Sequence, residues 1–371
     1  MKLSEFAKEC RDTWKEDRSG VPVVGLEHLE PGEVKLSIWD VDSENTFTKR
    51  FNKGQVLLGR RRVYLRKAVV APFDGICSGD ITVIEAIPGK ILPELLPFVI
   101  QNDAFFDYAE QGSAGSLSPR VKWEHLKDFE VNLPSIDNQK VLAEKLWAAY
   151  RLKESYKKLL AATDEMVKSR FIEMFEGKDY ECVRMEDLCS LVTKGTTPTS
   201  IGFDFTDNGI NFIKAENICD DGSFDIQQCS HIDLECHEKM KRSQLKEQDI
   251  LFSIAGVIGR TAIVTKAILP ANTNQALAVI RVRENAAVNL RYLVQALSSK
   301  SIQSQCKTNM RGAAQMNISL QDINNFLITL PPTELQNEFE RIYNQADKSG
   351  FVGSNRGLSR CLVAYQTLRQ F

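Results

Sequence analysis

The sequence predicts an α+β fold built twice: two similar globular units, each followed by a long helix, with two-fold pseudo-symmetry. Three observations predict it. Residues 126–147 recur at 323–344, so that Leu126, Phe129, Leu133 and Pro134 become Ile323, Phe326, Leu330 and Pro331, and Gln139 becomes Gln336, at an offset of 197. A period that long is no solenoid repeat. In both halves, strand-like text broken by Gly, Asn, Asp and Pro comes first and helical text later. Finally, residues 138–176 contain no Gly or Pro and carry a seven-residue apolar repeat.

The first unit opens with an amphipathic helix pattern at Leu3, Phe6 and Cys10, and the second with Met185, Leu188 and Val192, at an offset of 182. Strands are predicted at 55–58 and 69–71, then at 249–252, 262–264 and 277–280. Helices are predicted near 92–110 and 289–307. The offset is 193 where Gln55 matches Gln248 and 197 at the Leu-Pro pair, so the second unit carries about 15 more residues as loops.

In the first helical arm Leu142, Ala149, Tyr156 and Thr163 recur every seven residues, with Leu152, Leu159 and Met166 as the second stripe. Leu146, Leu160 and Val167 widen that seam. A helix of this length spans roughly 55 Å. It needs a partner to be stable, and the repeat nominates its own second copy. That copy starts with a capping box at 333–336 and an apolar face at Leu335, Phe339, Ile342 and Ala346. Gly350, Gly353 and Gly357 then interrupt it, and Leu358, Leu362, Tyr365 and Leu368 resume it. The expected boundaries are 1–134 and 179–331 for the globular units, with arms at 135–178 and 332–371.

With 371 residues, 43% apolar and 26% charged, the chain has the make-up of a soluble protein of two or three domains. No apolar run approaches a membrane span, and the N-terminus lacks a secretory h-region. Nine cysteines without a C-x-x-C pair fit free thiols in the cytoplasm. A net charge of −2 argues against a protein that coats nucleic acid indiscriminately, while leaving room for local basic patches.

Such patches exist. Lys49, Arg50, Lys53, Arg60, Arg61, Arg62, Arg66 and Lys67 fall in one stretch without an acid. They suit phosphate contacts or guanine readout, and equally a solvated strand-and-turn surface. On a regular strand Arg60 and Arg62 would share one face and Arg61 take the other. No carboxylate occurs between Glu110 and Glu124, where Ser116, Arg120 and Lys122 lie. None occurs between Glu284 and Asp322, where Lys307, Arg311 and Asn317 lie. Small residues and missing acids let a backbone approach a phosphate; a plain loop fits as well. The turn with Lys194, Thr196 and Thr197 offers hydroxyls and a cation. Arg260 follows a Gly-x-x-Gly, and Asn274 and Gln275 suit adenine readout or a strand-end turn.

Catalytic constellations are missing from the text. There is no P-loop and no Asp/Asn-Pro-Pro-Tyr/Phe run. Cys229, His231, Cys236 and His237 cluster, but their spacing fits no zinc finger, so no metal site is expected.

In sum of motifs, the chain resembles the specificity (S) subunit of type I restriction-modification systems. The resemblance rests on 194–198, 210–218, 249–251, 256–260, 274–276 and 330–336, and in the first half on 53–60, 73–79, Leu133, Pro134 and Gln139. It implies that each globular unit is a target recognition domain reading half of a bipartite double-stranded DNA sequence. The helices would pack antiparallel as a coiled-coil spacer. Two methyltransferase (M) subunits, expected to use S-adenosylmethionine, would dock on it, and motor-nuclease (R) subunits would join. The chain itself would bind no cofactor and have no active site. The competing expectations are a self-contained nuclease or methyltransferase with an unrecognised site, and a coiled-coil scaffold that binds protein.

Overall fold

The structure, a computed structural model, describes residues 1–114, 118–309 and 317–348. It divides into two compact units, with the boundary between Lys157 and Lys158. No described helix is long and apolar enough to cross a membrane.

The first unit is organised around an antiparallel sheet of four strands, in the order Ala7–Cys10, Ile81–Ala86, Val56–Gly59, Ala68–Val70. Apart from the edge strand Ala7–Cys10, its strands are buried on both faces because alternate residues feed two cores. Val56, Leu58, Ala68 and Ile84 face helices Leu96–Ile100 and Asp103–Gln111. Leu57, Val69, Ile81 and Val83 face a second sheet. That sheet runs Asp40–Val41, Pro22–Val24, Gly75–Cys77, Lys49–Phe51, with its two middle strands parallel.

The second unit repeats the plan. Its sheet runs Cys189–Lys194, Leu277–Val282, Ile250–Ser253, Thr261–Ile263. Ile250, Phe252, Ala278 and Ile280 face one core; Leu251, Ala262, Leu277 and Val279 face the other. Strand Ile210–Ile213 pairs parallel with Ala271–Thr273, as Pro22–Val24 does with Gly75–Cys77.

Two expectations are corrected here. The opening helices are single turns, Leu3–Phe6 and Met185–Leu188, because the chain then turns into the edge strand. Cys10 and Val192 are therefore strand residues paired to Val83 and Ile280. The partner of Gln55 is Asp249, not Gln248: Val56 faces Ile84 and Ile250 faces Ile280. Gln248 instead takes the left-handed place of Gly54, with φ of 70° against 87°.

The arm is one helix of 40 residues, Ile136–Phe175. Its buried residues are Gln139, Ala143, Leu146, Tyr150 and Lys153 in the first unit, and Val167, Phe171 and Phe175 in the second. The seam keeps its three-four spacing and holds Leu146 and Val167 as expected, but the stripe of Leu152, Leu159 and Met166 lies one residue away from it. Leu152, Leu159 and Met166 are 48%, 41% and 42% exposed. The displacement arises because polar residues occupy the buried face. Lys153 Nζ bonds the Gly32 carbonyl and Glu33, each at 3.1 Å, and Tyr150 and Lys157 also reach Glu33.

Burial pushes the Glu33 carboxyl up, but the bond from Lys157 and the charge of Lys153 outweigh it, leaving it below its ordinary 4.5. A depressed carboxyl contributes stability above its unfolded value and loses it as pH falls through the folded one. Glu33→Gln should therefore cost about 2 kcal/mol at neutral pH. Thermal melts should show that difference closing as pH drops below 4.5; a constant difference would refute the assignment.

The second helix, Thr333–Lys348, buries Phe339 against Phe171 and Phe175, with ring centroids 5.4 and 5.8 Å apart. Leu335 packs on the same cluster and Ile342 is half-buried. Gly350, Gly353, Gly357 and the pattern from Leu358 lie outside the described residues.

The repeated glutamines have one job. Gln139 accepts from the Leu92 N–H at 3.0 Å and donates to the carbonyls of Lys90 at 3.3 Å and Pro134 at 3.0 Å. Gln336 accepts from Asn289 N–H at 2.8 Å and donates to Ala287 at 3.2 Å and Pro331 at 2.7 Å. Every partner obeys the offset of 197. Each glutamine thus ties the first turn of a helix to the helical layer of the unit before it.

Candidate nucleic-acid interface

In the first unit the regular strand ends at Gly59. Arg61 makes a single bridge to Arg120, and Arg62 and Arg66 adopt left-handed backbone (φ 53° and 52°) around the turn Val63–Leu65. The strand alternation expected for Arg60–Arg62 is therefore not realised. Instead the Arg62 N–H bonds the Pro119 carbonyl and the Val121 N–H bonds that of Arg60, drawing 60–62 against 119–122.

The result is a recess of about 260 Å³ lined by Glu9, Arg11, Lys49, Arg60, Lys122, Trp123 and Glu124. Arg60 Nε is buried there without a hydrogen-bond partner among the described residues. Lys49 bonds the Ile81 carbonyl at 2.9 Å and lies 3.7 Å from Glu9; burial pulls its pKa down, with Glu9 opposing. Arg11 pairs with Glu9 at 2.7 Å and Glu124 at 3.3 Å. Beside the recess, Arg120 grips Asp80 through two bonds, and Arg61 reaches Ser118 and Asp80. The Arg120 bond is the main reason the Asp80 carboxyl sits below its ordinary range.

The other members of the basic run disperse. Arg50 stacks over Trp14 at 5.0 Å, Arg66 pairs with Asp103 and Asp107, and Lys67 bonds the Leu26 carbonyl. Lys53, Arg62 and Lys122 are exposed. Arg11 was missed in the sequence, because it lies outside the run and between acids.

In the second unit, two motifs far apart in sequence form one surface. Gly195 N–H bonds the Asn274 carbonyl at 3.1 Å and Thr196 N–H that of Thr273 at 3.3 Å. A Cβ on Gly195 would lie 1.8 Å from the Thr273 oxygen, so only glycine permits this approach. Gly195→Ala should destabilise the unit by about 2 kcal/mol. An unchanged urea midpoint would show that the turn simply shifts.

Thr197 Oγ1 donates to Gln275 Oε1, and Arg242 donates to Thr196 Oγ1 at 3.4 Å. Lys194 and Gln275 are exposed. Asn274 Oδ1 accepts from Ala276 N–H, so that side chain shapes the strand-end turn. Arg242 follows no pattern that singles it out in the sequence.

Arg260 stands apart from this surface. It bonds the Ile218 carbonyl and pairs with Asp220 at 3.0 Å, while its Nε is buried without a hydrogen-bond partner among the described residues. Its main chain occupies the place of Lys67, since Ser253 N–H bonds Arg260 as Gly59 N–H bonds Lys67. Lys307 is exposed on helix Lys300–Asn309, and Asn317 bridges Ala255. Ser116 and Arg311 lie outside the described residues.

The Cys-His cluster is divided among structural tasks. The Cys229 thiol bonds the Phe212 carbonyl, Cys236 packs with Ile232 and Met240, and His237 bonds Asn272. Among the described residues no three metal-ligating groups converge.

Residues 177–349 match the family described as the type I restriction modification DNA specificity domain. The EcoBI specificity subunit of Escherichia coli is 28% identical over 285 residues, covering 66% of this chain and 58% of that relative. The EcoDI specificity subunit of Escherichia coli is 26% identical over 158 residues, 41% of this chain and 35% of that relative. The chain therefore matches less than two thirds of the length of either.

Among solved structures, the type I restriction-modification S subunit of M. genitalium superposes with a TM-score of 0.60 at 13% identity, over all of this chain and 94% of that one. A second structure, described as bearing on complex assembly and conformational transition of the type I R-M system, gives 0.52 at 18% identity over 100% and 95%. Both share the mixed α+β fold. The chain is thus similar to the specificity subunits of type I restriction-modification systems, most directly over residues 177–349.

Proposed function

We propose that this chain is the DNA-recognition and assembly subunit of a type I restriction-modification complex, with no active site of its own. One observation carries the reading: the two units share a sheet plan yet differ at the end of its first strand. There the first unit gathers Arg11, Lys49, Arg60 and Lys122, and the second gathers Lys194, Thr196, Thr197, Arg242 and Gln275. Equivalent frames with unlike surfaces suit two readers of two unlike half-sites. Cations supply phosphate affinity, and the amide and hydroxyl groups suit base edges.

The arm and the second helix then form an antiparallel coiled-coil spacer. Forty helical residues span about 60 Å, roughly 18 base pairs of duplex. That length accommodates half-sites one turn apart on one face of the DNA. The exposed stripe of Leu152, Leu159 and Met166 docks M subunits, which bring S-adenosylmethionine and flip the target base. R subunits join for cleavage.

The deciding experiment is co-expression with the cognate M subunit, followed by mapping of modified adenines. A bipartite motif is expected; an undivided motif, or methylation by this chain alone, would overturn the proposal. In the same complex Arg60→Gln with Lys122→Gln should weaken DNA binding at least tenfold and lower the slope of log K against log salt by about 2. An unchanged slope would remove the recess from the interface.

A further inference from the structure

The hairpin from Val56–Gly59 to Ala68–Val70 and the hairpin from Ile250–Ser253 to Thr261–Ile263 carry loops of one design. Matching contacts set them in correspondence. The Val121 N–H bonds the Arg60 carbonyl, and the Ile318 N–H bonds that of Ile254. Arg61 bridges Arg120, and Ala255 bridges Asn317. Each loop then holds two left-handed residues, Arg62 and Arg66 in the first unit, Gly256 and Gly259 in the second. Left-handed backbone suits glycine and disfavours arginine. The first unit therefore keeps the loop's shape against the preference of its own residues.

Between those residues the loops are apolar: Val63, Tyr64 and Leu65 in the first, Val257 and Ile258 in the second. One side chain of each pins the loop down. Val63 is buried in one core and Ile258 packs against the other. The rest stand out, with Tyr64, Leu65 and Val257 exposed by 48%, 41% and 60%. Among the described residues, no other large exposed apolar side chains recur at matching positions of the two units.

Charge does not account for these tips. Arg66 is held by Asp103 and Asp107, and from Ile254 to Gly259 there is no cation at all. The Val257 side chain can hydrogen-bond neither a phosphate nor a base edge. In the second unit the tip borders an open cleft of about 480 Å³, also lined by Lys168 and Ile172 of the arm. Ile172 is itself exposed, so an apolar side chain entering there would meet Val257, Ile258 and Ile172.

Exposed apolar groups on a loop held by a rigid sheet mark a contact site. Surfaces that read unlike half-sites must differ between the units, as the ends of the first strands do. A partner that arrives twice and binds each unit alike needs the same feature twice.

We infer that the two tips, Tyr64 with Leu65 and Val257, are matched anchors, each seated in an apolar pocket of one M subunit. The inference rests on the proposed function, which brings two M subunits to the chain. It gives each M subunit a grip on a recognition unit itself, in addition to the stripe along the arm.

The test uses the full chain in complex with its M subunit and DNA. Tyr64 or Val257 is replaced by the photoreactive p-benzoylphenylalanine. Irradiation should join the chain to M from either position, with the joined peptides identified by mass spectrometry. Failure of either position to reach M would overturn the inference. So would an adduct with DNA in its place, which would make the tips wedges between base steps.

Tyr64→Glu with Leu65→Glu should weaken one of the two M sites at least tenfold, in a titration followed by native mass measurement. Val257→Glu should do the same to the other. Two unaltered sites in the triple variant would overturn the inference as well. Adenine mapping of the parent complex separates the two levels. A bipartite motif with tips that do not reach M removes only the anchors, whereas an undivided motif removes the function on which they rest.

Discussion

Gln336→Ala is expected to destabilise the second unit by about 3 kcal/mol. The side chain is fully buried and makes three hydrogen bonds, to Asn289 N–H and to the Ala287 and Pro331 carbonyls. Alanine removes all three and leaves a donor and two acceptors unmet in the interior. Each net bond contributes about 1 kcal/mol, and an orphaned buried group adds to the cost. Gln336→Glu separates the parts: it keeps the acceptor for Asn289 and loses both donors. Gln139→Ala should do to the first unit what Gln336→Ala does to the second. Urea unfolding followed by a probe in each unit would check the pair. A loss under 1 kcal/mol at both sites would mean that the glutamines are replaceable by water.

Asp249→Ala is expected to cost about 3 kcal/mol. Asp249 is 1% exposed and grips Arg281 through two bonds of 2.7 Å, while also accepting the Lys246 N–H. Its removal strands the half-buried guanidinium of Arg281, which lies on a central strand of the sheet. Asp249→Ala with Arg281→Met should recover most of the loss, because taking out both partners leaves no uncompensated charge. If the double variant is no better than the single, packing rather than charge dominates.

The first unit solves the same position differently. Gln55 accepts the Asn52 N–H and donates to the Cys10 thiol, which in turn bonds Glu85. Burial, then Glu85, pushes that thiol up to about 12, so it stays protonated.

The duplication was legible because its signals are local. Leu133 and Pro134 with Gln139 recur as Leu330, Pro331 and Gln336, and the strands at 56–59 and 250–253 stand out as apolar runs. What was illegible depends on distant partners. Lys153 and Lys157 look like solvent residues until Glu33, some 120 positions earlier, is placed against them. That pairing moved the arm's buried face by one residue. Arg60–Arg62 could not be oriented from alternation, since a left-handed Arg62 breaks the strand. Arg242 reaches Thr196 only through the packing of Lys241–Ser243 beside strand Cys189–Lys194. Propensity and pattern carry nothing about such contacts.

Gln139 and Gln336 direct their hydrogen bonds to main-chain atoms alone. The hydrogen bonds of such a joint ask only that the backbone follow the same path. Whole units could thus be traded between relatives by recombination, with the crossover placed at the Leu-Pro segment and no compensating substitution at the joint. On the proposed function, each such exchange would alter one half-site at a time.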